Sequence, residues 1–586
     1  LARRKKRNWI TLDLHIHTPA SSDYREPDVT YLDILRTAES RGLRIIAITD
    51  HNTVAGVRKM KAEQEQLELL ENLGRINAEE RVQLAEYRRL RDKILVLPGF
   101  EFTATFGFHV LAIFPPEMPV RELEHLLLAL NIPTEELDSG ASTVGASSDV
   151  LAVYRVINEA GGLAIAAHAN SSNGVAMRGF PIGGQTKIAY TQDPNLHALE
   201  VTDLAQKGRR TTAAFFGGTK PEYPRRMHCI QGSDAHRLTG EGGKGKILGI
   251  GERATEVLLS EISFEALKEL FLSNDFARTR SHLEQRKADE FDFIRQAREA
   301  GATIVQDFHE NMNVRGGNLY AIIADVCAFA NTNGGTVYVG INPDQKHKLT
   351  GVSNPTASVR KLEREISNRI SPPLSCQVDT QKSGGISIMR VLVPRGEDPP
   401  YAVDDNKIYV REEAETGLAV RDEIVQMVLR DTDSAAGSVQ PAEAPAEALA
   451  EALAEAPAEA PREPVRRGAE PPKTGVEIVA VDERDGVKYF TVRDLRNGNV
   501  VKNVTKTSAR RLWHYAITQY LQLPKDHRKA ASVWNGELGL LRSRTSAKGS
   551  RYDLAQESNG SLRLYFGVTD DGIHGDWKEL VGGEPE

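Results

Sequence analysis

Nine side chains in this sequence have types and spacings that together suit metal chemistry. The stretch TLDLHIHTPASSD, residues 11–23, ends an apolar run in His15 and His17 and carries Asp23 six positions on. In a strand, residues i and i+2 share a face, so the two imidazoles project together. Similar endings recur along the chain. LRIIAITDH ends at His51, ILVLPGFEF carries Glu101, FHVLAIF starts near His109 and LAIAAHAN carries His168. HALEVTD ends at Asp203, and MHCIQGSDAH ends in Asp234 and His236. A lone histidine at a strand end is ordinarily just hydrogen-bonded, and a lone Asp before a helix is ordinarily an N-cap. So many apolar runs ending in His, Asp or Glu point instead to a shared metal site. Mixed imidazole and carboxylate donors suit Mn, Zn or Fe better than Ca or Mg.

Such a site needs strand ends brought together. Helical patterns at 28–42 and 148–160 separate the apolar runs, which implies a parallel barrel or an open α/β sheet. In barrels of this kind, chemistry gathers at the C-terminal strand ends. Between TDHNTVAGV and LVLPGFE, a long charged stretch with periodic leucines predicts two amphipathic helices. At 586 residues the chain exceeds one core, and about three to four domains are expected. Hydrophobic residues make up 40% and charged residues 26%, a globular composition. No apolar run approaches the ~20 residues that span a bilayer, so no membrane partner is expected. The basic start, LARRKKRNW, is not followed by an apolar signal region. Cys229, Cys327 and Cys376 lie far apart, which fits a reduced, cytoplasmic protein.

The motifs DLHIHTPASSD, AITDHNT, PGFEFT, AAHAN and GSDAH resemble, in family order, the PHP (polymerase and histidinol phosphatase) metallophosphoesterases. The resemblance implies a distorted seven-stranded β/α barrel with two to three divalent metal ions. By motif, His15, His17, Glu101 and Asp234 would bind one metal. Glu101 would bridge to a second, held also by His109 and His168. Asp23, His51 and His236 would hold a third. The implied reaction is phosphate-ester hydrolysis, with Arg178 and Arg237 as candidates to hold phosphate.

Further on, LYAIIADVCAFANTNGGTVYVGINPD, residues 319–344, reads as helix, turn and strand. Its wording resembles the Schlafen/AlbA-type domain, with further matches at LTGVS and at residues 399–424. In nuclease-active relatives an acidic cluster cuts RNA. Here the corresponding "EFK" motif reads Asp307-Phe308-His309 and the upstream Glu position falls at Ala302, so the acidic set is incomplete. Asp307, Glu310 and Asp344 are the catalytic candidates and could take Mg or Mn. Nucleic-acid binding without cleavage is the expected alternative.

Residues 433–472 form an Ala/Pro/Glu tract with nothing to bury, expected as a disordered linker. Residues 473–582 read as a small α+β domain with hairpin signals at Asp485-Gly486, around Gly498 and at Asn559-Gly560. Between 502 and 551, eleven basic side chains face two acidic ones although the whole chain is at −7. Lys506, Arg510, Arg511, Arg528, Lys529, Arg542, Arg544, Lys548 and Arg551 are candidate phosphate contacts. The interleaved aromatics, Trp513 among them, are expected mainly in the core.

The expected organisation is therefore a PHP part at 8–275, a Schlafen-like part at 295–432, the linker, and the basic domain. The leading expectation is a metal-dependent nuclease acting on RNA, or on DNA, or a phosphatase of a nucleotide 3′,5′-bisphosphate. Two alternatives stand beside it. One is a Schlafen-like RNA endonuclease whose PHP part trims the ends, as in phage defence. The other is a non-catalytic nucleic-acid-binding regulator. Schlafen-like modules often pair, so a homodimer is a further expectation.

Overall fold

Strand β1, Asn8–Ile16, goes from exposed to fully buried along its length and becomes the centre of a nine-stranded sheet. The others are β2 (Ile45–Ile48), β3 (Leu95–Thr103), β4 (His109–Ile113), β5 (Leu163–Ala166), β6 (Ala198–Glu200), β7 (His228–Ile230), β8 (Thr255–Leu259) and β9 (Thr279–Ser281). Their order is β7-β6-β5-β4-β3-β2-β1-β8-β9. The sheet curls until it is nearly closed, and His228 of one edge strand reaches Thr279 of the other at 3.4 Å. The PHP resemblance implies seven strands; β8 and β9 add two, antiparallel, beside β1.

The computed structural model describes residues 7–582 apart from 144–147, 178–182, 207, 209, 242–246, 283–291, 345, 437–469, 485–486, 497, 499, 507–510, 525, 547–548 and 559–560. The chain forms two compact units. One comprises Leu1–Glu310, Gly335–Pro355 and Gln377–Pro394; the other comprises Asn311–Gly334, Thr356–Cys376 and Arg395–Glu586.

In the first unit, β1, β2 and β3 run parallel, as do β5, β6 and β7. Strand β4 lies between the two sets and is antiparallel to both its neighbours. Its first residue therefore sits at the rim where the parallel strands end. The interior is apolar: Leu97, Leu111, Ile165, Ala198 and Ile230 pack with Leu267 and Leu270 of the helix Phe264–Leu272. Because side chains alternate along a strand, Glu101 follows Leu97 on one face, His109 precedes Leu111, and Glu200 follows Ala198. These polar groups cap the apolar interior.

The expected helix pair is present as α2 (Ala55–Asn72) and α3 (Ala78–Arg91). It packs Met60, Leu67, Leu84, Tyr87 and Leu90 against Leu32 and Leu35 of α1 (Tyr31–Ser40). A capping box at Asn77 and Glu80 starts α3.

The same unit holds a four-stranded sheet ordered Gln306–His309, Gly335–Val339, Ile386–Val393, Gln377–Ser383. Arg390 of this sheet makes a buried bidentate pair with Asp275, at 2.7 and 2.9 Å, and also pairs with Asp379. The side chain of Asp292 accepts from Ser383 Oγ.

In the second unit, Asn331 of the helix Asn318–Asn331 accepts from Tyr401 N–H and donates to the carbonyls of Tyr401 and Tyr409. The Asn of the AFANT motif thus serves the fold. Residues 476–569 contribute a seven-stranded sheet with antiparallel pairings throughout. One face packs against Trp513, Ala516 and Ile517 of the helix Arg511–Leu521, the other against Trp577 and Leu580. The strands flanking 485–486 and 559–560 pair as expected, while the turn residues themselves lie outside the described residues. The expected linker falls largely on 437–469, also outside them. Among the described residues, all three cysteines are free and no helix is long and apolar enough to cross a membrane.

His228 gives this fold an acid-sensitive point. Burial, offset only in part by the bond from its Nε2–H to Ser273 O at 2.8 Å, holds its pKa down to about 4. The unfolded chain takes up that proton near pH 6.5. Stability is therefore full above about 6.5 and is lost as pH falls toward 4, by about 3 kcal/mol for this one group. Urea midpoints at pH 7 and pH 4.5 should fall less for His228→Gln than for wild type; equal falls would clear His228.

Candidate metal centre

The rim of the sheet gathers all nine residues singled out in the sequence, centred on Glu101. One oxygen of its buried carboxylate, Oε2, lies 3.2 Å from His15 Nε2, 3.3 Å from His17 Nε2 and 3.0 Å from His51 Nδ1. The other, Oε1, lies 2.9 Å from His109 Nδ1 and 3.2 Å from His168 Nε2. Asp234 Oδ1 stands 3.3 and 3.5 Å from His15 and His17. Asp23 Oδ2 stands 3.4 and 3.3 Å from the Nε2 atoms of His51 and His236. Among the described residues, three groups have ligand atoms close enough to share an ion: His15, His17, Glu101 and Asp234; His51, Glu101 and His109; and His17, His51 and His236.

A bulge explains how β1 delivers both histidines. Between Asp13 and Ile16, β1 spends one residue more than β2 does. Leu12 and Leu14 face the interior, so an unbroken strand would turn His15 and His17 outward. The extra residue restores them to the inner face. Backbone strain lies at the same rim: His168 and Asp234 are left-handed, at φ 28° and 54°. Gly232 is required there, because a Cβ would meet Glu200 Oε1 at 2.4 Å and His15 Cβ at 2.8 Å.

Partners on the far side of the rings fix their tautomers. Glu200 Oε2, an obligate acceptor, takes the Nδ1–H of His15 at 2.9 Å and also the His168 N–H at 2.8 Å. Asp50 takes the Ser21 hydroxyl at 2.7 Å, leaving Ser21 Oγ to accept from His17 Nδ1 at 2.9 Å. Asp234 O accepts from His236 Nδ1 at 3.1 Å. In its neutral form each of these three rings then presents a bare Nε2 to the centre.

The electrostatics fit a cation. His15 Nε2, His17 Nε2, His51 Nδ1 and Glu101 Oε2 are buried with no hydrogen bond. Unpaired buried donors and acceptors of this kind are costly unless something binds them. Burial opposes charge on Glu101, yet His15, His109 and His51 hold it well below the usual carboxylate range. His17 is pushed down by burial and by His236 and His51, which favours its neutral form, whereas the carboxylates around His15 and His51 outweigh burial and push those two rings up. The donor set, imidazoles with carboxylates in a buried pocket, suits divalent metals.

Two residues that position this centre were not among the sequence candidates. Glu200 sits inside the apolar run ALEV, where a carboxylate with no partner would be expensive. That misfit was its one sequence signal. Asp50, beside His51 at the end of LRIIAITDH, organises residues 18–21 through Thr18 N, Thr18 Oγ1 and Ser21 Oγ. Asp203 instead accepts from Thr212 N and Oγ1 at the start of a short helix.

Of the phosphate candidates, Arg178 lies outside the described residues, and Arg237 is held between Glu26 and Glu241. The Schlafen-like carboxylates have other partners. Asp307 Oδ1 accepts from Phe308 N, Glu310 from Thr350 Oγ1 at 3.3 Å, and Asp344 from Lys346 N. None of the three belongs to a metal-sized group among the described residues.

In the C-terminal sheet, Arg544 is directly opposite Arg551, an unfavourable like-charge pair. Arg544 lies 5.6 Å from the Tyr515 ring. Arg528 pairs with Glu557, Arg542 donates to Gln519, and Lys529 stands 3.5 Å from Asp526. Lys506 is exposed. Arg510, Lys548 and the side chain of Arg511 lie outside the described residues. Trp513 is buried in the core as expected, while Trp534 is 36% exposed.

Fold and site define a mixed α/β protein with a carboxylate-centred histidine cluster. Residues 304–419 match the family model described as Schlafen, AlbA_2. The chain thus carries a Schlafen-like segment after a first part that resembles the PHP metallophosphoesterases in the motifs that build the cluster. No curated protein matches it.

Several solved structures are similar to parts of it, and three are described. One is an endonuclease Q complex with a 27-mer duplex carrying an abasic lesion, at TM-score 0.30 and 15% identity, covering 45% of this chain and 56% of that one. The chain therefore spans little more than half of that enzyme's length. The second is a protein from Bifidobacterium adolescentis described as a metal-dependent phosphoesterase, at TM-score 0.25 and 19% identity, covering 41% and 91%. The third is an amidohydrolase from Chromobacterium violaceum, at TM-score 0.24 and 15% identity, covering 38% and 87%.

Proposed function

We propose that the first part of the chain is a metal-dependent phosphoesterase that hydrolyses nucleic-acid phosphodiesters, RNA before DNA, and that the Schlafen-like and C-terminal parts bind the polymer. The observation that carries this is the cluster around Glu101, where nine candidate ligands meet at one rim. His15, His17, Glu101 and Asp234 would hold one ion, Glu101, His109 and His168 a second, and Asp23, His51 and His236 a third, as Mn, Zn or Fe. Bound divalent metals supply Lewis acidity for attack of water on a phosphoryl centre. The chain's own part is to hold ligand geometry through Glu200, Ser21 and Asp50, and to exclude water from the buried side.

Arg237, next to His236, would take a substrate phosphate by exchanging it for Glu241. Among the described residues Asp307, Glu310 and Asp344 form no metal-sized group, which favours a binding role for the Schlafen-like part. Arg544 opposite Arg551 supports a polyanion on the C-terminal sheet, since such a pair is relieved by phosphate.

The test is Mn-dependent cleavage of end-labelled single-stranded RNA by the purified full chain. Cleavage should vanish in His15→Ala with His17→Ala and persist in Asp307→Ala. The reverse pattern would make the Schlafen-like part the cutter and overturn the assignment. If wild type cuts no RNA or DNA but releases phosphate from a nucleotide 3′,5′-bisphosphate, the enzyme class stands and the polymer substrate falls.

A further inference from the structure

The β3–β4 hairpin joins two strands that bear central residues of the cluster, Glu101 and His109. Thr103 pairs with His109, and residues 104–108 close the loop, with Ala104 N bonded to Phe108 O at 2.7 Å and Gly107 N to Ala104 O at 3.0 Å. At the tip stands Phe106, 73% exposed, the most exposed large hydrophobic side chain of the described residues. Its backbone is left-handed, at φ 63° and ψ 11°, and Gly107 follows at φ 75°. A left-handed pair of this kind favours Asn or Gly at its first position. Phenylalanine there costs backbone energy and leaves apolar surface in water, two penalties that Gly would avoid.

The loop does not need the ring for its own packing. Phe108 supplies the apolar anchor, buried against Tyr190 with ring centroids 5.8 Å apart. Phe106 meets the edge region of Phe108, with centroids 6.5 Å apart and planes at 60°. Further support comes from neighbours outside the hairpin: Thr105 N bonds to Ser148 O and His109 N to Asn173 O. The tip is thus a braced support for an aromatic face open to solvent.

Its position matters. Phe106 is three residues from His109, so its Cα lies within about 10 Å of that ligand candidate's Cα. It sits beyond the same rim that gathers the cluster. The geometry points to Phe106 as a stacking platform for a nucleobase of the substrate, a specificity-determining residue beside the centre. Every base has a π-face, so the platform selects nucleotides over other phosphate esters without reading sequence. This inference rests on the nuclease reading and deepens it, by stating what holds the base while the phosphate lies over the cluster.

The test uses the full chain loaded with Mn and a single-stranded oligonucleotide carrying 2-aminopurine, whose fluorescence falls on stacking. Variants are Phe106→Gly, which suits the left-handed backbone and keeps the loop, and Phe106→Trp, which keeps an aromatic face. Phe106→Gly should raise KM about tenfold with kcat within about twofold. Phe106→Trp should stay within about twofold of wild type in both. An unchanged KM in Phe106→Gly overturns the platform. If wild type does not cleave the oligonucleotide, the nuclease reading fails separately, and fluorescence decides this one. Quenching lost in Phe106→Gly and kept in Phe106→Trp supports the platform; equal quenching in all three proteins overturns it.

Discussion

Glu101→Gln is expected to remove metal from the centre and to abolish hydrolysis while leaving the fold intact. The carboxylate meets five imidazoles within 2.9–3.3 Å, two through one oxygen and three through the other. An amide keeps the shape and one acceptor, but it loses the charge and puts an N–H₂ against rings that offer lone pairs. Glu200→Gln is the internal standard. Glu200 touches His15 only at Nδ1, behind the ring, and replacing such an outer partner costs roughly 10–100-fold in metal affinity or activity. Glu101→Gln should exceed that range, with losses on the order of 10³-fold in activity. Metal content by elemental analysis reads the first effect directly, without an assay. Circular dichroism checks the fold. A Glu101→Gln protein that holds as much metal as wild type would show that the cluster is not a shared centre.

The clustering of the candidate residues was legible in the sequence because metal chemistry would restrict residue type and strand periodicity restricts position. What it could not show was the route by which the fold delivers them. His15 and His17 share a face as the i, i+2 rule requires, but the bulge between Asp13 and Ile16 decides that this face is the inner one. His109 opens its strand instead of ending it. It joins the others only because β4 runs against its neighbours, and no local pattern announces that. Strands β8 and β9 went uncounted since they lie beyond the last motif and carry no candidate ligand.

Charge along the chain was an incomplete guide for a related reason. Summed over 502–551 the segment is strongly basic, yet Glu557, the partner of Arg528, lies outside that window and arrives by strand pairing. Trp513 illustrates the converse, since the interleaved aromatics are expected mainly in the core and Trp513 is buried there.

Arg496→Ala is expected to loosen the C-terminal sheet from the segment that precedes the Ala/Pro/Glu tract. Arg496 ends the strand pair at 494 and bonds Asp494, Glu412 at 3.2 Å and Glu413 at 2.8 Å. Nearby, Asp422 accepts from Lys502 N at 2.9 Å, and Val420 packs against the core of the sheet. The two stretches that flank residues 437–469 are therefore docked within one unit, and the tract is a covalent bridge across a joint that already exists. Burial opposes the charge on Arg496, but its carboxylate partners more than offset this and hold it protonated. Removing it strands the buried Asp494 and the largely buried Glu412 without a counter-charge, a loss of about 3 kcal/mol. A protease site placed within 440–465 gives the readout. After cutting, the wild-type fragments should co-elute on size exclusion, and those of Arg496→Ala should separate at micromolar concentration. Separation of the cut wild-type fragments would mean that the tract alone joins them. In that case the C-terminal part would act on nucleic acid by effective concentration, as a tethered module does, and not by holding the polymer at a fixed place on the Schlafen-like part.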